Sequence, residues 1–67
     1  MKIFCERLKE LRLESNLSTA KLGKEIGVSG PTVSRWENGI MIPSIEHLYN
    51  MARFFQVRSD YLIGLEN

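Results

Sequence analysis

Side chains able to make or break bonds are scarce in this sequence. Its one cysteine, Cys5, and one histidine, His47, lie far apart on different predicted helices, and no glycine-rich loop is present to cradle a nucleotide phosphate. Two candidate ligands do not make a metal site, so the expectation is no enzyme, no metal and no cofactor. Cys5 reads as a small apolar residue of the first helix and His47 as a boundary residue. The polar chemistry that remains is hydrogen bonding, gathered between Ser18 and Asn38. Arg35 carries forked donors that match a planar pair of acceptors, and Thr32 can donate or accept. Gly30 and Pro31 have no polar side-chain atom and would serve by close approach or by apolar contact. Thr19 completes this set of candidate contacts.

Phosphate needs donors at helix starts rather than forked readers. Ser18 and Ser29 each precede a predicted helix, so free backbone N–H groups and a capping hydroxyl fall together at both places. Lys21 sits in the first turn of the second helix, against the helix dipole, at a cost of a few tenths of a kcal/mol that a nearby phosphate would reverse. Ser34 and Asn38 are the further phosphate candidates. Asn38 reads equally well as a plain helix C-cap.

The elements that must position these groups are all helical. Phe4, Leu8 and Leu11 recur at helical spacing until Ser15 and Asn16. Ser18 opens a second helix through Ala20, Leu22 and Ile26, which Gly27 stops. Ser29 opens a third, with Pro31 tolerated in its first turn, through Val33 and Trp36 to Asn38 and Gly39. Ser44 caps a fourth, with Ile45, Leu48, Ala52 and Phe55 on its inner face. A fifth starts at Ser59, buries Leu62 and Leu65, and ends at Glu66 and Asn67. Only Gly27, Val28 and Ser29 separate the second helix from the third, which forces a steep crossing, the requirement of a helix-turn-helix. Leu22, Ile26, Val28, Val33 and Trp36 would point into that crossing, and Gly23 would sit at its closest approach.

Length and charge bound the answer. The chain has 67 residues, 43% of them apolar, and nine Lys and Arg against eight Asp and Glu. One domain over residues 1–67 with one core is the expectation, since so short a chain buries only about 60% of its unfolded surface. A single cysteine fits a reducing compartment. With no signal-like or membrane-spanning run, the cytoplasm is the expected location and no membrane the expected partner. Near-neutrality argues against coating a polyanion non-specifically. The segment from Ser18 to Gly39 nevertheless has three basic residues (Lys21, Lys24, Arg35) and two acidic ones (Glu25, Glu37).

The chain resembles the phage-repressor and Cro type of helix-turn-helix regulators over nearly its whole length. The residues that carry the resemblance are Glu6 to Arg12, Leu17 and Ser18, Ile26 to Ser29, Pro31 to Gly39, Pro43 and Ser44, and Asp60 to Leu62. It implies a compact all-α, five-helix, lambda-repressor-like domain that acts as a homodimer and places its third helix in the major groove of double-stranded operator DNA. The candidate base contacts are then Thr19, Gly30, Pro31, Thr32 and Arg35, with the Arg35 fork matching the two acceptors of guanine and Gly30 and Pro31 serving by close approach or by contact with a thymine methyl. It also makes Arg12 and Glu37 a partly buried structural ion pair between the first and third helices. The implied activity is that of a transcriptional regulator, a repressor of phage or mobile-element type.

Three departures from the family pattern stand out. Long polar residues are missing from the start of the third helix, Lys21 replaces a capping-box glutamate, and the loop Ile40, Met41, Ile42 is apolar where many relatives carry phosphate-binding Lys or Arg. That loop either packs under the fourth helix or faces a partner, a second copy or another protein, as an antitoxin-like module on this fold would require.

Overall fold

The computed structural model describes residues 1–65. It contains helices α1 (Lys2–Glu14), α2 (Thr19–Ile26), α3 (Gly30–Glu37), α4 (Ile45–Phe55) and α5 (Ser59–Ile63), and no strand among the described residues. Three starts are set by serine hydroxyls. Ser18, Ser29 and Ser44 Oγ accept from the backbone N–H groups of Lys21, Thr32 and His47 at 3.1, 3.2 and 3.1 Å, each satisfying one donor that the first helical turn leaves without an internal partner.

Helix ends were less legible. Gly27 (φ 84°) stops α2 and Gly64 (φ 81°) stops α5, both in the left-handed region that glycine enters without strain. Two other ends are closed by residues with a side chain: Asn16 after α1 and Gln56 after α4, each at φ 57°. The fifth helix ends at Ile63, short of the Glu66 and Asn67 expected; those two lie outside the described residues.

The core consists of Phe4, Leu8, Leu22, Ile26, Val33, Trp36, Met51, Ala52 and Leu62, with Leu11, Val28, Leu48 and Phe55 packed partly against it. Two residues expected on the inner side are outside: Ile45 is 87% exposed and Leu65 is 69% exposed. Ile45 opens α4 and falls beyond the edge of the core, whereas Met51, two turns further on, is fully buried. Leu65 follows the left-handed Gly64, and its N–H closes on the Asp60 carbonyl at 2.8 Å, so the chain has already turned away from the core. Trp36 is almost wholly buried beside His47, ring centroids 5.4 Å apart. Its indole Nε1 has no hydrogen-bond partner among the described residues, a cost of about 1–3 kcal/mol set against the large apolar area the ring buries.

The crossing of α2 and α3 is a backbone-to-backbone contact. A Cβ on Gly23 would lie 2.5 Å from the Val28 carbonyl oxygen and 3.0 Å from the Ser29 carbonyl carbon. One on Gly30 would lie 3.0 Å from Ala20 Cα. Glycine is therefore required at Gly23, a side chain at Gly30 would crowd the Ala20 backbone, and the start of α3 is pressed against the start of α2.

Candidate nucleic-acid interface

The contact of Gly30 with Ala20 brings the N-termini of α2 and α3 side by side, and with them Ser18, Thr19, Lys21, Ser29, Pro31 and Thr32. The two ends are not equivalent as donors. In α2 the N–H groups of Thr19 and Ala20 have no partner among the described residues, while Lys21 N is taken by Ser18 Oγ. In α3 only the Gly30 N–H is left, because Pro31 has none and Thr32 N bonds to Ser29. Gly30 thus has a packing role of its own, in addition to the close approach expected from its lack of a side chain.

Side chains along the outer face of α3 divide into occupied and unoccupied ones. The Thr32 hydroxyl lies 2.9 Å from Ser29 Oγ. Asn38 caps the helix C-terminus and folds its amide back, Nδ2 donating to the Ser34 carbonyl at 2.9 Å and to Ser34 Oγ at 3.3 Å. That arrangement is the C-cap alternative for Asn38, and it occupies Ser34 as well. Pro31 is exposed. Arg35, exposed, has no hydrogen bond or ion pair among the described residues, so its guanidinium fork is available to an external acceptor.

Behind this face, Arg12 ties three elements together. Its Nε donates to Glu37 Oε2 at 2.6 Å and its Nη2 to Glu37 Oε1 at 3.0 Å, while Nη1 donates to the Leu17 carbonyl at 2.9 Å. Leu17 N–H returns a bond to the Arg12 carbonyl at 3.2 Å. The Glu37 hydrogen bond raises the Arg12 pKa above the usual guanidinium value, outweighing the opposing effect of burial, so the guanidinium stays charged at any working pH. With Glu37 committed to Arg12, Lys21, Lys24 and Arg35 on α2 and α3 face only Glu25 as uncommitted acid.

A second clamp went unseen at the level of sequence. Arg7 Nη1 donates to the Tyr61 carbonyl, and the guanidinium lies 4.3 Å from the Tyr61 ring centroid, fastening α5 to α1. Arg7 and Tyr61 are both among the residues that carry the resemblance, but they are 54 positions apart and no local pattern links them. His47 has a definite place too: its Nδ1 lies 3.0 Å from the capping Ser44 Oγ. Among the described residues no group of three or more His, Cys, Asp or Glu is placed to hold a metal ion.

The loop after α3 does not pack under α4. Ile40, Met41 and Ile42 are 74%, 40% and 69% exposed. Ile40 and Met41 N–H both bond to the Arg35 carbonyl, at 2.9 and 3.3 Å, so the loop is held rigidly on the end of α3.

Residues 8–62 match the family model described as Helix-turn-helix. The chain belongs to the helix-turn-helix family. This helix-turn-helix domain is 36% identical over 63 residues to the transcriptional activator BcrR of Enterococcus faecalis, covering 94% of the chain and 31% of that protein. It is 34% identical over 58 residues to repressor protein C2 of Salmonella phage P22, covering 87% of the chain and 27% of the repressor. The domain therefore spans about a third or less of these two relatives. Among solved structures, the P22 c2 repressor in complex with a synthetic operator superposes with a TM-score of 0.90 at 30% identity, over 98% of this chain and all of that one. The solution structure of a LexA repressor from Eubacterium rectale gives 0.86 at 33% identity, over 91% of this chain and 65% of that one. All-helical architecture with five helices is thus that of the P22 repressor's DNA-binding domain. No helix among the described residues is long and apolar enough to cross a membrane.

Proposed function

We propose that residues 1–67 act as one sequence-specific DNA-binding unit of a transcriptional repressor, working in the cytoplasm as a homodimer on an inverted repeat and catalysing no reaction. The observation that carries this reading is the superposition on a repressor solved with operator DNA, together with an exposed Arg35 on the outer face of α3 that has no partner among the described residues. In this reading α3 enters the major groove, Arg35 takes guanine by its forked donors, and Thr32, Pro31, Thr19 and Gly30 supply the remaining base contacts. Phosphates bind at the start of α2, where two backbone N–H groups are free beside Ser18 and Lys21, with Ser29, Ser34 and Asn38 as secondary contacts. One copy cannot read both halves of an inverted repeat. Its longest dimension is 31 Å, less than the roughly 34 Å between successive major-groove faces.

Selection of bound sequences from a random DNA pool at 50 and 200 mM salt tests the proposal. A palindromic consensus, with affinity falling at least about tenfold between the two salts, is the expected result. A second reading, an antitoxin-like protein-interaction module, is favoured by one observation, the exposed apolar loop at Ile40–Ile42. No enriched sequence, and binding to a protein that barely responds to salt, would decide for it.

A further inference from the structure

The two hydroxyls at the start of α3 are not independent of each other. Ser29 Oγ accepts the Thr32 N–H at 3.2 Å, and Ser29 Oγ and Thr32 Oγ1 lie 2.9 Å apart, so that one of them donates to the other. A hydroxyl has one proton and two lone pairs. Of the two protons in the pair, one is spent inside it, and the direction of that single bond decides what each oxygen can still offer. If Ser29 donates, its proton is used and Thr32 keeps a proton to give outward. If Thr32 donates, both lone pairs of Ser29 are filled, by the Thr32 N–H and the Thr32 hydroxyl. Ser29 then offers only its proton, and Thr32 only lone pairs.

We infer that a DNA phosphate selects the second arrangement, and that Thr32 thereby becomes an acceptor-only reader that takes adenine or cytosine over guanine or thymine on the strand it faces. The inference rests on the reading of α3 as the major-groove helix and of Ser29 as a phosphate contact; it goes beyond that reading by assigning the polarity of one base contact. Phosphate oxygens accept, so Ser29 meets one only through its proton. That withdraws Ser29 as a donor to Thr32, and Thr32 must close the pair with its own proton. The major-groove donors that its lone pairs can then meet are adenine N6 and cytosine N4, whereas guanine O6 and thymine O4 would face it lone pair to lone pair. Every base pair has one such amine, on one strand or the other. Thr32 therefore distinguishes the orientation of a pair, amine or carbonyl toward it, and does not distinguish A·T from G·C.

Arg35, exposed one turn further along α3, has five donors and no acceptor and asks for the reverse. The two readers thus have opposite polarity. Residue type alone does not fix this, because an isolated threonine reads either kind of edge. The bond to Ser29 also holds the half-buried Thr32 hydroxyl in one place in the free protein, so little ordering is required on contact.

Selection from a random DNA pool with the wild type, Thr32→Val, Ser29→Ala and Ser29→Thr tests the inference, circular dichroism checking that each is folded. In the wild type, one position of each half-site should hold A and C alike and disfavour G and T at least about fivefold. Thr32→Val should lose the preference for A and C at that position alone. Ser29→Ala removes the acceptor of the Thr32 proton and frees the hydroxyl to turn either way. It should admit G and T at the same position to within about twofold of A and C, and Ser29→Thr, which keeps a hydroxyl, should restore the wild-type preference. Loss of a helix cap by itself lowers stability and weakens all sequences together, without moving a base preference. A Thr32-dependent position that holds G or T in the wild type overturns the inference, and so does Ser29→Ala that keeps the preference for A and C. If the wild type enriches no sequence, the functional reading fails and the inference with it. If it enriches a palindrome and the Ser29 and Thr32 variants enrich the same one, the inference alone fails.

Discussion

Removing Glu37 should damage this domain more than any other single loss of a charge. Arg12 and Glu37 side chains are only 11% and 6% exposed, and Glu37 accepts two of the three hydrogen bonds made by the Arg12 side chain. Glu37→Ala leaves the guanidinium with the Leu17 carbonyl alone. Breaking a buried pair by removing one partner costs about 3–5 kcal/mol, because the remaining charge stays desolvated. A 67-residue domain has roughly 3–10 kcal/mol to lose, at about 0.05–0.15 kcal/mol per residue. At about 4–8 °C per kcal/mol, the melting temperature should fall by at least 12 °C or so, and the least stable case is unfolded at room temperature. The measurement is thermal and urea denaturation of wild type, Glu37→Ala, Arg12→Met and the double replacement Arg12→Met/Glu37→Leu. The double replacement should recover most of the loss, since it leaves no buried charge uncompensated. Raising the pH should not mimic Glu37→Ala. A guanidinium raised above its unfolded value keeps its full contribution below the unfolded pKa and loses it only as pH passes the folded one. A Glu37→Ala melt within about 2 °C of wild type would refute the argument, and equal losses in the single and double replacements would show that packing, not charge, is responsible.

Gly23→Ala should destabilise by about 2–4 kcal/mol, because its methyl would meet backbone at 2.5 Å with no flexible side chain to give way; an unchanged urea midpoint would contradict the crossing geometry. Two substitutions on the DNA face should differ in kind. Arg35→Ala should cost about 1–3 kcal/mol of specific binding and relax the preference at one base pair, whereas Lys21→Ala should weaken all sequences alike and lower the salt slope by about one phosphate contact. Competition binding against point-mutated operators at several salt concentrations separates them, and the assignments are reversed if Lys21→Ala changes the base preference.

Much of this fold is local and was readable for that reason. A serine hydroxyl three residues ahead of an amide, an apolar residue every third or fourth position and a glycine at a left-handed turn are interactions within one helical turn, so α2, α3 and the start of α4 follow from residue type and spacing. Reading failed where the decision lay with a neighbour. Ile45 continues the apolar stripe of α4, but whether it is buried depends on where the adjacent helices end; Gln56 and Asn16 adopt the left-handed conformation without the glycine that signals it. The free N–H groups of α2, and the single one left in α3, also became distinguishable only once the hydrogen bonds were in place.

The amino-acid sequence by itself determined the helix order, the three-residue turn between α2 and α3, the glycine at their crossing and the identity of the base-reading candidate, because each depends on contacts a few residues apart. Tertiary structure alone decided that Arg12 also holds Leu17, that Arg7 fastens α5 through Tyr61, that Gly30 is pinned by Ala20, and that Ile40, Met41 and Ile42 face solvent. Burial and long-range hydrogen bonds depend on what lies opposite in space, and the pattern along one helix does not contain the position of its neighbour.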